Sequence, residues 1–325
     1  MAAAAEWYEP AAVDVERLRW LRQTREEVLE PEQPIVDPHH HLWDARGPFA
    51  GVMRTVAGEE GLGPVTGGAH LAEGRPGGVA DPVALGWQQR YLLDDLVDDV
   101  LHGGHRVIGT VYVDAGTMYR RDGPLELRCI GETEYVNGVA AAGASGVYGD
   151  CALCAGIVGS ADLLLGAEKL EPILRAHIAA SPRFRGIRVL GYDYPTVVAD
   201  PRFAEAMALF EQHGLTFDVG TQTDRVAEVV ALANAFPNVT FVLNHCGGTP
   251  GPANFSTPGV EAKWRAGIAA VGERCPNVYA KVGGIQMTAN GFGLSSDERS
   301  VPIGSAELAE LTTAIYAHVI QCFGV

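Results

Sequence analysis

The chain has 325 residues, 47% of them hydrophobic, and a formal net charge of −16. That length and apolar content can bury about three quarters of the unfolded surface, so one large α/β domain is the simplest organisation. The acidic balance argues against nucleic acid or an anionic membrane as a partner and favours small-molecule chemistry. Met1 to Pro10 has neither the basic nor the apolar region of a secretory signal, and no window approaches roughly 18 uninterrupted apolar residues, so a soluble cytoplasmic protein is expected. The six cysteines are spread thinly, unlike a secreted disulfide framework. Cys151 and Cys154 have CxxC spacing, but they lack a second pair and run into a strand-like segment, which argues against a redox or zinc motif.

In chain order, Val15 to Glu30 reads as an amphipathic helix with Asp14 as its cap and Leu18, Leu21 and Val28 near one face. Residues 1–33 are thus expected to form a helical extension on the outside of the main domain. Next comes Val36-Asp37-Pro38-His39-His40-His41, a strand ending in three histidines. Side chains alternate along a strand, so His39 and His41 share one direction and His40 takes the other. Two imidazoles one pleat apart can converge on a divalent ion at about 2.0–2.1 Å each. A solvated histidine-rich turn is the alternative.

Residues 45–86 are rich in Gly and Pro and poor in periodicity, the pattern of an insertion or a lid. From Arg90 onward strand-like and helix-like runs alternate. The strands expected are Val107–Asp114, Ala152–Gly159, Gly186–Tyr192, Thr216–Thr221, Val239–His245 and Val278–Gly283. Helices are expected over Tyr91–Leu101, Glu132–Ala142, Ala167–Ala180, Arg202–His213, Arg225–Phe236, Val260–Arg274 and Ala306–Phe323. This rhythm is that of parallel βα units, and with the histidine strand it points to a TIM-type (β/α)8 barrel. An eighth unit would need roughly thirty more residues than the chain has after Phe323. The eighth unit is therefore expected to be missing, leaving the histidine strand with an unpaired edge. Residues 45–86, the N-terminal segment or a second subunit of a homo-oligomer would cover it.

Several segments together resemble the amidohydrolase superfamily. They are Asp37-Pro38-His39-His40-His41-Leu42-Trp43-Asp44, Met118-Tyr119-Arg120, Gly131-Glu132-Thr133-Glu134-Tyr135-Val136-Asn137-Gly138, Phe184-Arg185-Gly186-Ile187-Arg188, Asn244-His245-Cys246-Gly247-Gly248 and Lys281-Val282-Gly283-Gly284. The closest branch is the amidohydrolase-2 group of sugar-lactonase and pyrone-dicarboxylate-lactonase-like barrel hydrolases, and the match runs from about Pro34 onward. The resemblance implies a site at the C-terminal mouth of the barrel. It makes His39 and His41 the HxH metal pair of strand one and His245 the histidine of strand six. It also implies a strand-eight aspartate as proton shuttle, a position this chain does not reach. Val189 stands where relatives tend to carry histidine, and Phe217-Asp218 leads to Gln222-Thr223-Asp224 where they tend to carry another.

Three histidines and a water satisfy a catalytic zinc in ligand number, so a divalent metal, zinc first, is expected at His39, His41 and His245, with a metal-free lactonase as the variant. His245 alternatively orients substrate, polarises a carbonyl or packs as a core histidine. With the shuttle aspartate absent, Asp193 and then Asp114 are the candidate bases by reach; each could instead cap a helix or turn. Arg188 and Lys281 lie where an unpaired charge is costly, so they either bind a substrate carboxylate or pair internally with Asp218. Tyr119 and Arg120 are further substrate contacts, and Glu132 and Glu134 cap the following helix or pair with these arginines. The function expected is opening of a lactone or related cyclic ester or amide of a small carboxylated molecule. Non-oxidative decarboxylation and a non-catalytic, ligand-binding barrel are the alternatives.

Overall fold

The computed structural model describes residues 19–44 and 90–324. Seven parallel strands form one curled sheet in sequence order: β1 (Ile35–His40), β2 (Val107–Val113), β3 (Ala152–Gly159), β4 (Phe184–Val189), β5 (Thr216–Val219), β6 (Thr240–Leu243) and β7 (Val278–Ala280). The helices that follow them are α1 (Leu93–His102), α2 (Ile130–Ala144), α3 (Ala167–Ala180), α4 (Pro201–His213), α5 (Val229–Ala235), α6 (Val260–Arg274) and α7 (Ser305–Phe323). This is the expected βα barrel plan, with seven of its strands among the described residues. Trp43–Asp44 and Arg90–Tyr91 form a separate two-stranded antiparallel ribbon where the 45–86 insertion leaves and returns. The insertion itself lies outside the described residues.

The strands form where β-branched and aromatic residues lie between turn formers, and β3 is buried on nearly every residue, as a parallel strand covered on both faces must be. Helix α4 shows the local logic of the connections. Asp200 caps it by accepting the Arg202 N–H at 2.9 Å, Pro201 sits in its first turn, and Gly214 ends it in the left-handed region. Phe203 and Phe210 of that helix meet Phe217 of β5, which meets Phe241 of β6, with ring centroids about 6 Å apart. This aromatic column fixes β5 and β6, whose C-terminal ends carry site residues.

Two expectations need correction. The N-terminal helix expected to reach Glu30 covers only 19–21 of the described residues. Beyond it the side chains are committed elsewhere: Thr24 donates to the Pro302 carbonyl at 2.8 Å, and the Glu26 carboxylate accepts the Ser305 N–H at 2.9 Å, capping α7. Arg225–Phe236 begins as a 3₁₀ turn over Thr223–Glu228 before α5 proper. Among the described residues β1 pairs only with β2, and β7 only with β6. Along that seam Val36 is 54% and Tyr279 64% exposed. A cavity of about 570 Å³ lies inside the curl of the sheet, lined from all seven strands by Val36, Val111, Val158, Val242, Asp218 and Lys281 among others. No described helix is long and apolar enough to cross a membrane.

Candidate active site

The C-terminal ends of the strands bring together His39 and His41 from β1, Asp114 after β2, Arg188 of β4, Asp218 of β5, His245 after β6 and Lys281 after β7. The turn that aims the histidines is local. Asp37 accepts the His39 N–H at 3.0 Å across Pro38, which has no N–H of its own, and the β1–β2 register shifts there. His39 and His41 then share one face, their Nε2 atoms 3.2 Å apart, while His40 turns outward to the Thr110 hydroxyl at 3.0 Å.

Although β1 and β6 are far apart in the sheet, its curl sets the His245 ring 4.4 Å from that of His39, tilted by 40°. His245 and Cys246 both have positive φ, so the chain turns sharply after β6. Three contacts hold this turn. The buried Trp264 indole donates to the Cys246 carbonyl at 2.8 Å, the Cys246 N–H donates to the Lys281 carbonyl at 3.0 Å, and the Lys281 N–H donates to Leu243 at 2.9 Å. Gly284 completes the seat, because a Cβ there would fall 2.1 Å from His245 Nδ1.

Two buried ion pairs flank the histidines. Arg188 Nε donates to the Asp114 carboxylate at 3.2 Å and Nη2 donates to the Asp114 carbonyl, leaving Nη1 3.3 Å from His39 Nε2. Lys281 Nζ donates to Asp218 at 2.6 Å and lies 3.4 Å from His39 Nδ1. Burial is the first cause holding His39 well below the usual imidazole range, with His41, His245, Lys281 and Arg188 adding to it. Burial also lowers His41, then Arg188; His245 falls to about 4 through burial, Arg188 and Lys281. All three rings are therefore neutral near pH 7. Burial lowers Lys281, partly offset by Asp218, and raises Asp218, partly offset by Lys281.

One tautomer set serves the Lys281, His41 and Val113 contacts, and in it Arg188 Nη1 lies beside the His39 Nε2–H as a neighbouring cation, not as a donor to it. Lys281 donates to His39 Nδ1, His39 Nε2–H donates to His41 Nε2, and His41 Nδ1–H donates to the Val113 carbonyl at 2.7 Å. The same contacts test the expected metal. A ligating histidine presents one bare nitrogen and donates the other N–H to a carbonyl or carboxylate. His41 meets that condition through Val113, and the 3.2 Å between the two Nε2 atoms suits a chelate. His39 does not meet it, because its Nδ1 faces the Lys281 ammonium and Arg188 lies beside its Nε2. Among the described residues no group of three or more His, Cys, Asp or Glu is placed to hold an ion. The residues present therefore do not fit a divalent metal at His39, His41 and His245.

Of the two candidate bases, Asp114 is the counter-ion of Arg188. Asp193 is half exposed, its oxygens taken by Thr196 and Arg225. Arg120 points to the surface and pairs with Glu134, so it does not join the cluster. Tyr119 lies behind it, its hydroxyl by Ser160. Glu132, expected to cap the helix or pair with an arginine, does neither. It is buried behind the loop after β2, where it accepts the Ala115 N–H at 2.7 Å and the Tyr112 hydroxyl at 2.5 Å. The sequence signal was an i, i+2 pair of glutamates opening a helix, which must face different ways: Glu134 outward to Arg120, Glu132 inward.

A family model described as Amidohydrolase matches residues 36–323. Among curated proteins, the uncharacterized protein y4mH of Sinorhizobium fredii is 26% identical over 265 residues, covering 78% of this chain and 73% of that protein. Among solved structures, an amidohydrolase from Burkholderia multivorans, crystallised once with HEPES and once with zinc bound, superposes with a TM-score of 0.54 at 20% identity, over 89% of this chain and 80% of that chain. At that identity the likeness is one of fold.

Proposed function

The chain belongs to the amidohydrolase family, and on that premise we propose that it hydrolyses a lactone or related cyclic ester or amide of a small carboxylated molecule. The observation that carries this reading is that two buried cations, Arg188 and Lys281, reach the same His39 ring from its two nitrogens, at 3.3 and 3.4 Å, with neutral His245 alongside. Cations so desolvated favour an anion that enters between them. Arg188 offers its outer guanidinium edge to a carboxylate, and Lys281 supplies the second point of attachment.

In this reading His245 takes a proton from water as the water oxygen attacks the ring carbonyl carbon. The developing oxyanion is stabilised by Lys281, the ring C–O or C–N bond breaks, and the leaving atom recovers the proton from His245. The product is an open-chain acid. His39 and His41, tied into the hydrogen-bonded row that ends on Val113, hold the geometry between the cations.

The test is a pH-stat assay on five- and six-membered lactones with and without a carboxylate substituent. Acid release is expected to favour the carboxylated rings and to fall in both Arg188→Met and His245→Asn. Carbon dioxide release without ring opening would move the assignment to decarboxylation. Absence of any turnover, with substrate acids still bound, would leave a binding protein.

A further inference from the structure

The peptide joining Asp114 to Ala115 is held at both ends. Its carbonyl accepts Arg188 Nη2, and its N–H donates to the buried carboxylate of Glu132 at 2.7 Å. The two groups of a trans peptide lie in its plane and point in opposite directions, so Glu132 sits at the edge of the peptide opposite the one that holds the guanidinium. Asp114 also receives Arg188 Nε on its side chain at 3.2 Å. Fixing the peptide therefore fixes both points at which Arg188 is gripped. Glu132 lies in the first turn of α2, is 3% exposed, and also accepts the Tyr112 hydroxyl and the Thr117 N–H, so its contacts all gather the loop after β2. Burying a carboxyl without a cationic partner is costly and calls for a specific role.

We propose that Glu132 is a positioning residue that acts through the Asp114–Ala115 peptide to hold the Arg188 guanidinium in the site. The carboxyl oxygen it sets on the Ala115 N–H lies along the peptide dipole, so it strengthens the Asp114 carbonyl as an acceptor as well as orienting it. The interaction rests on the reading above only for why Arg188 matters; the geometry is independent of the substrate.

The test reads Arg188 directly and needs no ligand. In protein labelled with ¹⁵N-arginine, the Arg188 Nε–H resonance is assigned by its loss in Arg188→Lys. Glu132→Ala is expected to shift that resonance and to speed its exchange with solvent by about tenfold or more, as local opening exposes the donor. Glu132→Gln keeps one oxygen for Ala115 but turns an amide N–H toward Thr117, so a smaller shift in the same direction is expected. Val136→Ala, a buried residue one turn along α2, is the control and is expected to lower Tm while leaving the resonance in place. An unchanged resonance in folded Glu132→Ala overturns the proposal. So does an unchanged one in Glu132→Gln where the alanine variant does not fold, or an equal shift in the Val136 control. None of these outcomes depends on lactone hydrolysis, so failure of this inference and failure of the proposed activity are separately visible.

Discussion

The two ion pairs at the mouth of the sheet are alike in charge and unlike in construction. On the β2–β4 side Arg188 meets a carboxylate and a carbonyl of one residue, with Glu132 bracing the peptide from its opposite edge. On the β5–β7 side Lys281 Nζ donates to Asp218 at 2.6 Å and, more loosely, to His39 Nδ1 at 3.4 Å, and it borders the cavity inside the sheet. A planar guanidinium gripped on a carboxylate and a carbonyl is fixed in orientation, whereas an ammonium is a point charge whose three donors rotate on a flexible stem. The difference assigns orientation of an anion to the arginine side and adjustment around it to the lysine side.

The largest expected effect that bears on this contrast is on stability. Asp114→Ala strands Arg188 in a buried setting and is expected to cost about 3–5 kcal/mol in urea unfolding. Asp218→Ala leaves Lys281 facing the cavity, where water can reach it, and should cost about half as much. Equal losses would break the comparison.

A second effect is on anion affinity, read by calorimetric titration with malonate. Arg188→Lys removes the fork and is expected to weaken binding about tenfold, against about threefold for Lys281→Gln. The reverse order would transfer the orienting role to the seam side.

The third is a pH slope. Burial, then Asp114, pushes Glu132 up to about 8, above the ordinary glutamate value of 4.5. The folded chain then holds a proton that the unfolded chain has released, so this contribution to stability is full below about pH 4.5 and is lost as pH rises toward 8. Tm should fall by about 4 °C from pH 5.5 to pH 8.5 beyond the slope of Glu132→Gln. Identical slopes would show that Glu132 carries no such shift. The smallest effect belongs to Asp193→Asn, an exposed residue occupied by Thr196 and Arg225, for which turnover in the lactone assay should be unchanged.

Much of the fold was legible because parallel βα units announce themselves by period. Ala152–Gly159, Ala167–Ala180 and Val260–Arg274 have the boundaries expected of them. The strand ends around β4 to β7 were overextended, because the chain turns into the site loops while still carrying the residues that the strands position. Alternation along β1 correctly paired His39 with His41 and turned His40 away. Spacing could say that Lys281 needed a partner, and Asp218 was the one named. It could not say that Arg188 would choose Asp114, since that pairing depends on which strand ends the curl brings together. Nor could it show the approach of His245 to His39, which lies across the lumen and not between sheet neighbours. The metal was expected from histidine spacing and from the resemblance, and the cations around His39 that argue against it come from β4 and from beyond β7.

Trp264 was introduced as a clamp on the turn that carries His245. It is fully buried, its indole N–H is bound to Cys246, and its ring lies 5.3 Å from that of His318. An indole in that position doubles as an optical gauge of the turn. Any rearrangement of His245 that breaks the Cys246 contact would change the polarity around the ring and move its emission, and Trp264→Phe would separate that signal from those of the other four tryptophans.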